Sequence, residues 1–123
     1  MIDYKNMSDL QINKLVAMHL GKSVSAENEH LNSDACILVT DLAHEYIDFD
    51  PCNNPNDAWS IILENDIELN IYRVNGLKSG EYVAGGMFYR GVEISFNDIT
   101  VYDKNPLRAA MICFLNICDI KNS

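Results

Sequence analysis

At 123 residues, with 48% hydrophobic and 22% charged side chains, the chain is long enough for one domain with its own core, and one domain over 1–123 is expected. A formal net charge of −9 argues against non-specific binding of duplex nucleic acid, which needs several cationic contacts to phosphate, and four cysteines without a CxxC pair argue against a disulfide framework. Asp3, Lys5, Asp9 and Lys14 interrupt the first twenty residues and no apolar run approaches membrane length, so a soluble intracellular protein without a membrane partner is expected.

The charge is unevenly spread. Residues 23 to 72 contain eleven acids and no Lys or Arg, while the flanking parts each come to about +1. A small anion remains an admissible ligand, because one or two arginines and a helix N-terminus suffice to hold it.

Ser8-Asp9-Leu10-Gln11 reads as a capping box, with Ser8 as N-cap and Gln11 at the third helical position, so a first helix is predicted from Asp9 to Leu20. Ile12, Leu15, Val16 and His19 follow helical spacing along it, and Gly21 stands where the helix must end. Residues 22 to 33 are polar and patternless and read as an exposed loop. Cys36 to Thr40 is a short apolar, partly β-branched strand, and Tyr46 to Phe49 a second strand able to pair with it.

A second helix is predicted from Pro55 to about Asn65, with Asn54 as N-cap, Ala58, Trp59, Ile62 and Leu63 facing inward, and Asp57, Ser60 and Glu64 outward. Three strands follow as a meander: Ile67 to Tyr72, Tyr82 to Tyr89 and Val92 to Tyr102, with turns at Asn75-Gly76 and Arg90-Gly91. The last helix is predicted from Pro106 to about Asp119. It is apolar nearly all round, which requires cover on more than one side, and in so short a chain a second subunit is an obvious source of that cover. The expected fold is α+β, an antiparallel sheet of four to five strands packed with three helices, in the order α-β(-β)-α-β-β-β-α.

No GxSxG, HExxH, P-loop or dinucleotide fingerprint is present, so the chain reads as a non-enzyme without a cofactor. Cys36, His44 and Cys52 lack any standard zinc-ligand spacing, and no metal is expected. The best physical lead lies in the two helices that start Asn-Pro. Their third helical positions are Asp57 and Arg108, and an arginine there faces the positive end of the helix dipole. Two readings are open: Arg108 points to solvent or pairs with an acid such as Asp103, or Arg108, Asn105 and the free N–H groups of the helix start hold an anion. Tyr82, Phe88, Arg90 and Asn97, on strands expected beside this helix, could then stack a base and hold polar groups.

The stretches Cys52-Asn53-Asn54-Pro55-Asn56-Asp57-Ala58-Trp59-Ser60-Ile61-Ile62 and Asn105-Pro106-Leu107-Arg108-Ala109-Ala110-Met111-Ile112, with the opening Ser8 to Lys14, resemble the NinX-like proteins of phages and prophages. The chain departs from that pattern in having Ser60 where proline often stands. A looser similarity, in size and in ending on a helix, is to phage anti-Thoeris sponge proteins. These resemblances imply a phage-encoded accessory protein in the host cytoplasm, a homo-oligomer through the 106–119 helix, that sequesters a small cyclic nucleotide signal of the cyclic ADP-ribose or cyclic oligonucleotide type. The alternative is an acidic interaction module whose residues 23 to 72 dock on a basic host protein and inhibit or redirect it.

Overall fold

In the computed structural model, residues 2–25, 34–39, 46–74, 77–85 and 100–122 are described. After a 3-10 turn at Tyr4–Asn6 come α1 (Asp9–His19), β1 (Cys36–Val39), β2 (Tyr46–Phe49), α2 (Pro55–Glu64), β3 (Glu68–Val74), β4 (Leu77–Gly85), β5 (Thr100–Asp103) and α3 (Pro106–Lys121). The fold is α+β, with three α-helices among the described residues. The turns at Asn75-Gly76 and Arg90-Gly91, the 26–33 part of the expected loop, and the stretches 86–89 and 92–99 of the expected strands lie outside the described residues.

Local chemistry sets the helix starts. Ser8 and Gln11 make the full capping box, with Gln11 N–H donating to Ser8 Oγ at 3.1 Å and Ser8 N–H to Gln11 Oε1 at 2.9 Å. Asn54 and Asn105 are the N-caps of α2 and α3, each followed by proline at the first helical position. Gly21 has φ +76 just past α1, a conformation that glycine adopts without a Cβ clash.

The expected single sheet of four to five strands is not seen among the described residues. There the strands divide between two antiparallel sheets, β1-β2 and β3-β4-β5. One reason is visible at β1, whose two edges are both occupied: β2 pairs along one, and residues 23–25 bond the other through Ser25 N–H to Ile37 O at 2.8 Å and Val39 N–H to Ser23 O at 3.0 Å. A second is the interruption after β2, where Pro51 to Asn54 turn directly into α2 before β3 begins.

α3 is the central element. It packs against α1, α2, β3, β4 and β5, and Ala109 through Leu115 together with Ile117 are buried. Much of the cover that its all-round apolar surface demands is therefore supplied by the chain itself, with Leu107, Cys118 and Ile120 partly buried. α1 contributes Ile12, Val16 and Ala17 to the same core; His19, expected on the buried face, is exposed and meets Phe114 edge to face at 6.5 Å.

The face of α2 also differs from expectation. Ala58, Ile61 and Ile62 are buried, whereas Trp59 and Leu63 are 60% and 57% exposed. Five of the six residues from Ala58 to Leu63 are apolar, so periodicity alone could not choose between two faces about one residue apart. Packing selects Ala58 and the two isoleucines and turns the indole and Leu63 outward.

Candidate functional site

The starts of all three helices meet. Asp9, the first residue of α1, accepts from Arg108 Nη1 through one carboxylate oxygen and from Asn53 Nδ2 through the other, the latter at 3.1 Å. Asn105 Nδ2 donates to Cys52 O at 2.7 Å and to Asn53 Oδ1 at 3.0 Å, tying the start of α3 to the residues just before α2. Beneath them Asn13, fully buried on α1, donates from Nδ2 to Asp34 O at 2.8 Å and Asp50 Oδ1 at 2.7 Å and accepts from Cys52 N–H at 3.1 Å. Three positive dipole ends in one place are energetically tolerable because Asp9, Asp50 and Asp103 stand among them.

Arg108 lies at the middle of this cluster with its side chain 12% exposed. Nε donates to Asp103 Oδ2 at 3.1 Å, Nη1 to Asp9, and Nη2 to the carbonyls of Lys5 at 3.0 Å and Met7 at 2.7 Å. The partner named in advance, Asp103, is present. The fork also clamps the N-terminal segment onto α3, a use of four of its five fixed donors that a lysine could not reproduce.

The donors that an anion at this helix start requires are already used. Asn105 N–H donates to Asp103 Oδ1 at 2.9 Å, Pro106 has none, and Leu107 and Arg108 N–H donate to Asn105 Oδ1 at 3.0 and 3.3 Å. The first intrahelical bond, Ala109 N–H to Asn105 O at 3.0 Å, follows at once. So Asn105 and Arg108 are brought together, but facing each other's partners. Tyr82 lies on β4, its backbone opposite Asp103 in register. Phe88, Arg90 and Asn97 lie outside the described residues.

Nucleophilic and metal chemistry find little support in the described residues. Burial pushes the Cys113 thiol up to about 12 and raises Cys118; Cys52 is raised by burial first and by the Asp9 carboxylate second, so these three stay protonated thiols. No three His, Cys, Asp or Glu side chains among the described residues are grouped to hold a metal ion. No helix among them is long and apolar enough to cross a membrane.

A different surface remains open. Along the outer side of α2, Asn56, Trp59, Ser60, Leu63 and Glu64 are exposed, with the indole and the leucine four residues apart on one stripe. The last turn of α2 contains no basic residue, ends on Glu64, and is followed by exposed Asp66, held at φ 52. No ion pair among the described residues engages Glu64 or Asp66. Acids at a helix C-terminus face the negative end of the dipole and cost about 0.3–1 kcal/mol each. The charge mismatch at Arg108 is resolved inside the fold, whereas the one at the end of α2 meets no ion pair among the described residues.

Sequence reasoning missed Asn13, Asp9 and the outward turn of Trp59. For Asn13 a signal existed: an amide one residue from Ile12 and three from Val16 sits on the stripe that the helix buries.

No curated protein matches the chain. The model of the family described as Bacteriophage P22, NinX matches residues 3–117, which takes in α1, α2, both sheets, α3 as far as Ile117 and the cluster around Arg108. The chain belongs to the phage NinX family.

Proposed function

We propose that this phage accessory protein is non-enzymatic and works by docking on a basic protein of the host through its acidic segment, residues 23 to 72, inhibiting or redirecting it. The observation that carries the reading is a surface of one sign: Asp34, Asp48, Glu64, Asp66 and Glu68 are all exposed, in a segment without a single Lys or Arg. Such a surface accelerates encounter with a cationic partner and rejects acidic ones. Arg108, for its part, is turned inward onto Asp9 and Asp103 and away from this surface.

The nucleotide-sequestering reading fares less well on geometry. Its anchor was Arg108 with the free N–H groups of α3, and those groups have protein partners. What it retains is Tyr82 on β4 and the residues Phe88, Arg90 and Asn97.

One comparison separates the two readings. A basic protein captured from infected-cell extract is purified and its affinity measured against the wild type and a Glu64→Gln/Asp66→Asn/Glu68→Gln variant, at low and high salt. Docking predicts weaker binding for the variant and at high salt. Affinity indifferent to both, together with heat on titrating cyclic ADP-ribose isomers or cyclic oligonucleotides, overturns it in favour of sequestration.

A further inference from the structure

The exposed acids indicate the sign of a partner; α2 indicates the centre of its contact. Trp59 and Leu63 form an apolar pair four residues apart on an exposed stripe, and the negative end of the same helix carries Glu64 and Asp66, which no ion pair among the described residues engages. We propose that this end of α2 is the centre of the docking surface, and that its occupant is an amphipathic basic helix of the partner. Apolar side chains of that helix would cover Leu63 and the edge of the indole, and its arginines would reach the indole face and the carboxylates at the end of α2.

Three physical points favour this occupant. Tryptophan is the residue that most often carries binding energy at an interface centre, and an arginine stacked on its face gains from the ring quadrupole. A cation at the C-terminus of α2 meets the helix dipole and two acids together, so the charge mismatch within the monomer becomes an attraction in the complex. A second copy of this chain is disfavoured as occupant, because it would bring a net charge of −9 and the same two acids against themselves.

This inference rests on the docking reading, and its test separates the two. Trp59 is the single tryptophan of the chain, so its emission reports directly on burial of this surface. The probes are three synthetic helical peptides with the same leucine stripe and arginine, glutamine or glutamate on the other positions, each labelled for anisotropy and titrated into the full chain at physiological salt. The arginine peptide should bind, shift Trp59 emission to the blue and lose about tenfold or more in affinity against Leu63→Ser, a change at an exposed position whose unfolding midpoint should stay near that of the wild type. Binding of the arginine peptide without an emission shift and without sensitivity to Leu63→Ser overturns the placement on α2 while leaving the docking reading standing. Equal binding of the glutamine peptide overturns the charge selection. Failure of the arginine peptide to bind at all removes the inference, and the docking reading itself falls only if the purified basic protein also ignores the acidic variant. An emission shift that depends on the concentration of the chain alone identifies a second copy as the occupant and overturns the proposal.

Discussion

Asn105 and Asn53 lie 52 residues apart in sequence and share a hydrogen bond of 3.0 Å, Nδ2 of the first donating to Oδ1 of the second. Asn105 uses its other side-chain atom to cap α3, so a single amide both starts a helix and fastens that start to the approach of α2. Asp9 completes the junction from α1 by accepting from Asn53. The core thus has a polar lid in which three helix starts satisfy one another, and α3 runs from it through the middle of the fold.

Arg108→Ala takes the guanidinium from two largely buried carboxylates, which keep only Asn53 Nδ2 on Asp9 and Asn105 N–H and Lys5 on Asp103, and from the carbonyls of Lys5 and Met7. Removing one partner of a buried, hydrogen-bonded charge pair costs about 3–5 kcal/mol. Urea unfolding should show a loss of that order, and Arg108→Lys should recover little of it. A loss under about 1 kcal/mol, the range of exposed pairs, would place the side chain in solvent instead.

The two faces of α2 give opposite stability signatures. Ile61→Ala should destabilise by about 2–5 kcal/mol, as other buried aliphatic truncations do. Trp59→Ser should stay within about 0.5 kcal/mol of wild type, as expected of an exposed position. If thermal unfolding ranked them the other way, α2 would bury the face that periodicity first suggested.

Asn13 is a three-bond hub at 0% exposure. Asn13→Leu fits by volume but strands the Cys52 N–H, and a lost buried partner costs about 1–3 kcal/mol per group. Asn13→Asp puts an oxygen where the amide nitrogen donated to Asp34 O and Asp50, so it should unfold at lower urea than the leucine variant. The order of the two midpoints checks the direction of these bonds.

Alkaline pH should weaken the fold. Burial raises the thiols of Cys52, Cys113 and Cys118 above their ordinary 9.0, and raises the Tyr4 phenol, which donates to Asp119 at 2.5 Å, above its ordinary 10.0. These groups stay protonated when folded and ionise more easily when unfolded, so their contribution is complete below about pH 9 and is lost as pH rises past it. Urea midpoints at about pH 8 and pH 10.5 should therefore fall, and Cys113→Ala should flatten the difference.

The cover of α3 by its own chain makes a further prediction about self-association. Met111→Ala should lower stability by about 2–5 kcal/mol, equally at protein concentrations about tenfold apart. A midpoint that climbs with concentration would reveal a subunit seam on this helix.

Much of the fold was legible because the informative signals are local. Ser8-Gln11, Asn54-Pro55 and Asn105-Pro106 act within four residues of chain, and each start appears where the sequence puts it. The site was less legible, because its geometry depends on which residues meet. Nothing near Arg108 in sequence shows that Asp9, 99 positions away, accepts from it, or that Lys5 and Met7 offer it carbonyls. The mismatch of an arginine with the dipole was correctly visible, but a ligand and a buried carboxylate answer that mismatch equally well on paper.

By itself, the sequence determined the helix starts, the strand at β1 and its partner β2, the all-round burial of α3 and the one-signed segment from 23 to 72. These follow from capping geometry, side-chain period and charge, which act over a few residues or by simple summation. Tertiary structure alone decided that two sheets form rather than one, that α3 is covered by its own chain, that Arg108 turns inward and that Trp59 turns outward. Those outcomes are competitions between near-equal local choices, and only the packing of distant elements and the pairing of buried charges separates them.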